Sequence, residues 1–126
     1  MVAKSSKARV QRKELYNAPN HTKSKSVAAH LSTELREKYG IRSARVCRGD
    51  TVVVIRGNAD IRGTEGRVMD VHTGEGRVTI DGITINQADG TAVARPVHAS
   101  NLVITKLNLV DEWRVESLTK NKEAKE

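Results

Sequence analysis

Phenylalanine is missing from this 126-residue chain, and aromatic residues make up only 2% of it. A core must therefore come from Val, Ile, Leu and Ala. Two Tyr and one Trp, spread along the chain, are too few to build an aromatic cage for a methylated lysine. The single cysteine, Cys47, excludes a disulfide framework and a thiolate pair for zinc, and fits a reducing compartment. The longest uninterrupted apolar run, Val52 to Ile55, falls far short of the roughly 20 residues of a membrane helix. The N-terminus has no apolar segment resembling a secretory signal. These absences lead us to expect a soluble, intracellular protein with no membrane insertion, and the length suits one domain with a modest core.

Acidic residues are scarce in one region only. Residues 1–45 hold eleven Lys and Arg against three Glu, residues 46–110 seven against seven, and the remainder four against five. The formal net charge of +7 thus originates in the N-terminal third. Positive charge segregated in this way marks an arm drawn to a polyanion, because each cation that neutralises a phosphate releases a condensed counterion. A solubilising tail is the plainer explanation, but here the basic residues are mixed with helix-capping signals.

The segment "SSKARVQRKELY" predicts a short helix with Ser6 as N-cap and Pro19 just beyond its end. At 100° per residue, Arg9, Arg12, Lys13 and Tyr16 share one face, with a thin apolar stripe of Ala8 and Leu15. Such a helix is marginal alone and is expected to order against a partner. After the polar stretch "NHTKSKS", the segment "LSTELREKYG" predicts a second helix. Ser32 would cap it, Gly40 would stop it, Leu31, Leu35 and Tyr39 would form its apolar side, and Glu34 would pair with Lys38.

From Val46 onward the pattern changes to short β-like runs: "TVVVI", "GRVMDV", "GRVTI", "ITIN", "TAVARPV" and "NLVITKL". Seven of the nine glycines lie between Gly57 and Gly90, dividing the region into strands too short for a βαβ plan. A small barrel or sandwich follows. Ile83 and Ile85 are out of phase with Val78 and Ile80, and a bulge or tight turn at Gly82 would restore the inward face. Beyond the strands, Asp111 is expected to cap a short helix whose Trp113 packs back on the body, followed by a frayed charged tail.

"GNADIRGTEGR" raises the question of a phosphate-binding loop. A nucleotide P-loop needs a Gly-Lys-Ser or Gly-Lys-Thr ending that opens a helix, whereas here no Lys follows Gly63 or Gly66 and a strand comes next. In "GEGRVT", Thr79 stands where a dinucleotide fingerprint needs its third glycine. "GTEG" has the spacing of a KH loop, but that loop joins two helices and would place Glu65 against phosphates. Turn glycines are the better reading for Gly57, Gly63 and Gly66, with Arg56, Arg62 and Arg67 as loop cations. His21, His30, His72 and His98 lack metal-ligand spacing, and Asp81, Ser100 and His72 lack a nucleophile elbow. No cofactor, metal, small-molecule substrate or catalytic activity is expected. With few aromatic platforms, recognition should be of folded RNA through phosphates and 2′-hydroxyls, with Arg as the main contact.

"RGDTVVVIRGNADIRGTEGRVMDV" resembles a KOW motif in a small SH3-like barrel, with Gly66 as its obligatory glycine. Together with "RKELYNAPNH", "HLSTELREKYGIRSARVCRGDTV" and "ADGTAVARPVHASNLVITKL", it is similar to the family of large-subunit ribosomal protein twenty-four in its archaeal and eukaryotic form. The likeness covers about residues 4–118, and the lack of a long basic C-terminal extension suggests the archaeal type. It implies a mainly β fold: a basic helical arm over residues 1–43, a barrel over 44–107, and a short C-terminal helix and charged tail over 108–126. It also implies a structural role in the cytoplasmic ribosome, with binding of large-subunit ribosomal RNA early in assembly and near the nascent-chain tunnel exit.

The family's RNA-contacting arm maps onto Lys7, Arg9, Arg12, Lys13, Tyr16, Asn17, His21, Lys23 and Lys25. Its linker and barrel-edge arginines map onto Arg42, Arg45, Arg48 and Arg56. Lys4, Arg62 and Arg95 complete the expected RNA-binding set. Implied partners are ribosomal RNA, neighbouring ribosomal proteins and nascent-chain factors at the tunnel exit. Two features depart from the family's usual form: a longer first turn with Ile61 where an aromatic is common, and a less basic "HTGEG" turn. The competing class is a KOW or Tudor-like module that binds protein in a transcription or chromatin factor.

Overall fold

Alternating Val and Ile through the middle of the chain set its strands, and the charged flanks set its helices. The computed structural model describes residues 5–125, with side chains through Lys120; Lys4 lies outside the described residues. In chain order the elements are α1 (Ala8–Tyr16), α2 (Asn20–Lys23), a 3₁₀ turn (Ser24–Val27), β1 (Ala28–Leu31), α3 (Thr33–Tyr39), β2 (Ser43–Arg45), β3 (Thr51–Val54), β4 (Glu65–His72), β5 (Arg77–Asn86), β6 (Ala92–His98), a second 3₁₀ turn (Ala99–Asn101), β7 (Leu102–Lys106) and α4 (Glu112–Lys125). The strands form one seven-stranded sheet in the order β2-β1-β7-β3-β4-β5-β6. The β1–β7 pair is parallel and the other neighbours are antiparallel.

The sheet wraps a core of Val27, Ala29, Leu31, Val46, Val52, Val54, Val68, Val78, Ile80, Ile83, Val97, Ala99, Leu102 and Ile104. Six of the seven strands contribute to this single cluster, so the body is small, mainly β and barrel-like. Burial alternates along β3 and the first half of β5, as a sheet with one wet face requires. Gly66 lies within β4 rather than in a turn. A Cβ there would sit 2.6 Å from the Asp81 carbonyl oxygen and from Ile80 Cγ2, so its missing side chain lets β5 cross close over β4. Gly57 and Gly63 take positive φ in the turn between β3 and β4.

At Gly82 the backbone turns to φ +88° and the β5–β6 register shifts between Thr79 and Thr84. That bulge brings Ile83 inward but leaves Ile85 50% exposed. Pairing with β4 ends at Ile80 while pairing with β6 runs on to Asn86, so Ile85 sits where β5 extends past β4.

The flanking elements depart from expectation in several places. Ser6 does not cap α1; the N-cap is Lys7, whose N–H donates to Ser5 Oγ (3.2 Å). The stretch "NHTKSKS" is helical rather than irregular. Pro19 presets φ at −68° and its carbonyl accepts from the Thr22 and Lys23 amides, while the Ser24 and Ser26 hydroxyls donate to the carbonyls of His21 and Lys23. Leu31 belongs to β1 rather than to α3, and β1, within the segment expected as arm, pairs with both β2 and β7. Helix α3 is bounded by Ser32 and by Gly40 at φ 66°, and Lys38 lies 5.3 Å from the Tyr39 ring centroid rather than on Glu34. Helix α4 is longer than the short helix expected, and Trp113 points away from the body at 81% exposure. Arg114, Val115 and Leu118 face inward instead, and the 100° helical repeat then turns Trp113 outward.

Candidate nucleic-acid interface

None of the nine residues of α1 is buried. Arg9, Arg12, Lys13 and Tyr16 therefore meet solvent, with Tyr16 73% exposed. Asn17, His21 and Lys25 are exposed and Lys23 is half-buried at the end of α2. Among the described residues the ion pairs join Arg48 to Asp70, Arg95 to Asp60, Arg114 to Asp50 and Lys120 to Glu116. The arm cations Lys7, Arg9, Arg12, Lys13, Lys23 and Lys25 have no carboxylate partner there. An array of unneutralised cations on a marginal helix is what a phosphate backbone attracts.

The arm is attached to the body at its C-terminal end. Val27 is buried and its carbonyl accepts from the Val46 N–H (3.0 Å). Ser26 lies against Gly76 in the turn between β4 and β5, where a Cβ would come 3.3 Å from Ser26 Oγ. Between that turn and α1 runs a groove of roughly 960 Å³ whose walls include Tyr16, Lys23, Arg77 and His98. His98 Nδ1 accepts from the Ser100 amide (3.2 Å) and lies 2.8 Å from Ser100 Oγ. Arg77 and His98 are not among the residues expected to bind RNA. Their separation from the arm in sequence gives no signal of this proximity.

The body arginines fall into two groups. Arg42, Arg45 and Arg56 are exposed, with Arg42 just ahead of the edge strand β2 and Arg45 at its end. Arg48, Arg62 and Arg95 are engaged within the protein. Arg48 donates to Asp70 Oδ1 from Nε (3.2 Å) and Nη2 (2.7 Å). Arg62 donates to the Gly57 carbonyl (3.2 Å), and Arg95 lies 3.6 Å from Asp60. The hydrogen bonds from Arg48 and from the Val71 N–H hold the Asp70 carboxyl below its ordinary range. The structure thus gathers the arm residues on α1 with its caps, α2 and the first 3₁₀ turn, and leaves the body arginines dispersed around the sheet.

A second polar constellation, absent from the sequence-based expectations, holds the C-terminal helix in place. Asp50 is fully buried, and Arg114 grips it bidentately, Nη1 to Oδ1 and Nη2 to Oδ2, both 2.6 Å. The backbone N–H groups of Cys47 (3.0 Å) and Asn108 (2.8 Å) donate to the same carboxylate. Arg114 also donates to the carbonyls of Asn108 (2.9 Å) and Arg45 (3.0 Å). Burial opposes the charge on Arg114, but the Asp50 hydrogen bonds and charge outweigh it and hold its pKa above the ordinary value. An Asp just ahead of "TVVVI" reads as a turn residue, and nothing in the sequence signals its burial or selects its cation from the 22 available.

Among the described residues, no cluster of His, Cys, Asp and Glu gathers to hold a metal ion, and no helix is long and apolar enough to cross a membrane. The three aromatic residues lie on three different helices, α1, α3 and α4, rather than around one pocket. Residues 5–121 match the sequence model of the family that comprises the eukaryotic ribosomal proteins L26 and their archaeal L24 counterparts. The chain belongs to that family. Large ribosomal subunit protein uL24 of Methanosarcina barkeri is 48% identical over 116 residues, which are 92% of this chain and 98% of that protein. The protein of the same name in Methanocella arvoryzae is 51% identical over 114 residues, 90% of each chain. That of Sulfurisphaera tokodaii is 44% identical over 122 residues, 97% of this chain and 89% of the other. The family likeness therefore spans arm, sheet and most of α4 rather than the KOW-like segment alone.

Proposed function

We propose that this protein is a structural, non-enzymatic constituent of the large ribosomal subunit in the cytoplasm and that its basic arm binds ribosomal RNA. The observation that carries the reading is similarity to ribosomal proteins over about nine-tenths of the chain, combined with an arm whose cations, all but Lys23 exposed, pair with no carboxylate among the described residues. The RNA-binding surface on this reading comprises Lys7, Arg9, Arg12, Lys13, Tyr16, Asn17, His21, Lys23 and Lys25, together with Lys4 beyond the described residues. Arg42, Arg45 and Arg56 extend it onto the body. Arg48, Arg62 and Arg95 join when a phosphate displaces their internal partners. We place the functional arm in residues 1–26 and the body from Val27, because Val27 is a core residue and Ala28–Leu31 is a strand of the sheet.

Early assembly, a position near the nascent-chain tunnel exit and contacts with nascent-chain factors are what the family resemblance implies for this chain. Contacts with neighbouring ribosomal proteins follow from the same placement. A protein-binding module of the Tudor type draws no support from aromatics that lie on three separate helices.

Co-sedimentation with large subunits through a salt gradient tests the assignment. If about five arm cations neutralise phosphates, log affinity for the RNA should fall against log salt with a slope of about −3.5 to −4.5. Deleting residues 1–25 should abolish tight binding while the body stays folded, since Val27 and β1 are retained. Unchanged affinity after that deletion would refute the arm's role.

A further inference from the structure

The link into α4 and the first turn of that helix present Leu109, Val110 and Trp113 to solvent, the last two at 86% and 81% exposure. These side chains sit on a backbone that is pinned. Asn108 donates from its backbone N–H to Asp50 (2.8 Å) and from its side chain to the Arg48 carbonyl (2.9 Å). Its Oδ1 accepts from the Val110 N–H (3.2 Å), and Asp111 Oδ1 caps α4 by accepting from the Trp113 N–H (3.1 Å). Arg114, next in sequence, is locked to Asp50. A loose linker would fold its apolar groups onto the nearest surface. This one is held so that they face outward.

The exposed charged residues next to Trp113 in the chain are acidic, since Arg114 is turned inward onto Asp50. Asp111 and Glu112 adjoin Trp113, and Glu116 lies one turn further on, offset by Lys120 at 2.9 Å. A carboxylate rim repels a phosphate backbone and complements Lys and Arg. Exposed apolar residues grouped on a rigid backbone mark a protein contact, and Trp is the side chain most enriched among residues that dominate binding energy. Fixing the backbone beforehand lowers the ordering cost of association.

We propose that Leu109, Val110 and Trp113 form a preorganised anchor for a basic protein, one that offers an apolar pocket rimmed by Lys or Arg. The inference rests on the ribosomal reading, since the partner is then a neighbouring protein of the large subunit. The arm and the anchor divide the labour: cations hold RNA at one end of the chain, and an acidic-rimmed apolar knob holds protein at the other.

The test is site-specific photo-cross-linking in assembled subunits. p-Benzoylphenylalanine is placed at position 113, and separately at position 110, in the tagged full-length protein. Both positions are exposed, so folding should be retained, and circular dichroism checks this. Large subunits are isolated, irradiated, and the cross-linked species identified by mass spectrometry. The expected product at both positions is one and the same basic ribosomal protein, and that protein, purified, should bind Trp113→Ala at least about tenfold more weakly than wild type. Cross-linking to RNA or to a second copy of this chain, or no product from subunits that contain the protein, would overturn the anchor. If the tagged protein is absent from large subunits altogether, the ribosomal reading itself fails, and with it a partner within the subunit.

Discussion

Arg114→Leu is the most informative perturbation of how the C-terminal helix is held. Asp50 is shut away from water, and its carboxylate accepts from the amides of Cys47 and Asn108 and from both terminal nitrogens of Arg114. Hydrogen bonds to charged groups contribute about 1.5–3 kcal/mol each, so losing the two from Arg114 amounts to roughly 3–6 kcal/mol. Breaking a buried ion pair by removing one partner costs about 3–5 kcal/mol, which agrees. Leucine restores part of the buried apolar volume but leaves a carboxylate with only two backbone donors. Because those two donors remain, the lower part of the range applies, about 3–4 kcal/mol.

At a urea slope of about 2 kcal/mol per molar, that loss lowers the unfolding midpoint by roughly 1.5–2 M. Far-ultraviolet circular dichroism during a urea titration reads the midpoint, and amide exchange along α4 shows whether the helix detaches before the sheet opens. Glu116→Ala serves as the comparison. It breaks an exposed pair with Lys120 one turn apart and should change stability by no more than about 0.5 kcal/mol. If Arg114→Leu shifts the midpoint no further than Glu116→Ala does, the buried pair contributes no net stability and the reasoning fails.

Gly66→Val drives a side chain toward the Asp81 carbonyl and Ile80, where even a Cβ would sit at 2.6 Å. Overpacking of this kind costs about 1–3 kcal/mol, so the urea midpoint should fall while the salt slope of RNA binding stays unchanged; a midpoint equal to wild type would show that β4 and β5 can separate without cost. Arg12→Ala should weaken RNA binding and flatten the salt slope by about 0.7–0.9; an unaltered slope would place Arg12 away from phosphates. Asp70→Asn should release Arg48 and tighten RNA binding with a steeper slope, and no change would show that Arg48 faces away from the RNA. The same pair has a defined acid response. Because the Asp70 pKa is depressed, its contribution is present above the ordinary value of 3.8 and is lost as pH falls through the lower folded value. Lowering pH to about 5 in the binding assay should therefore leave Arg48 paired, with no gain in affinity from that residue.

Strands β3 to β7 are legible because they come from short apolar runs bounded by glycine or charge, and such runs have few alternatives to a sheet, whereas β1 and β2 carry no such run and are missed. The arm is legible from charge segregation, which is a property of composition along the chain and needs no coordinates. Leu31 falls in the wrong element on a sequence reading because a period of four fits the end of a helix as well as a buried strand position beside it. Trp113 misleads for a different reason. An aromatic at a helix start reads as core, but the phase of α4 is fixed by Arg114, whose partner lies 64 residues away.

Local features thus follow from the chain read end to end: where backbone alternation favours strands, where Pro19 and Gly40 interrupt helices, and which third holds the excess positive charge. Family membership belongs with these, since it too is read along the chain. Long-range closure settles the rest: which buried cation answers Asp50, that Val27 to Leu31 joins the sheet, that Arg77 and His98 face the arm, and which side of α4 looks outward. Those outcomes depend on pairing between distant residues. A buried carboxylate must find a donor, and a strand must find an edge, but the residue or strand that answers is selected by how the whole chain closes around one core.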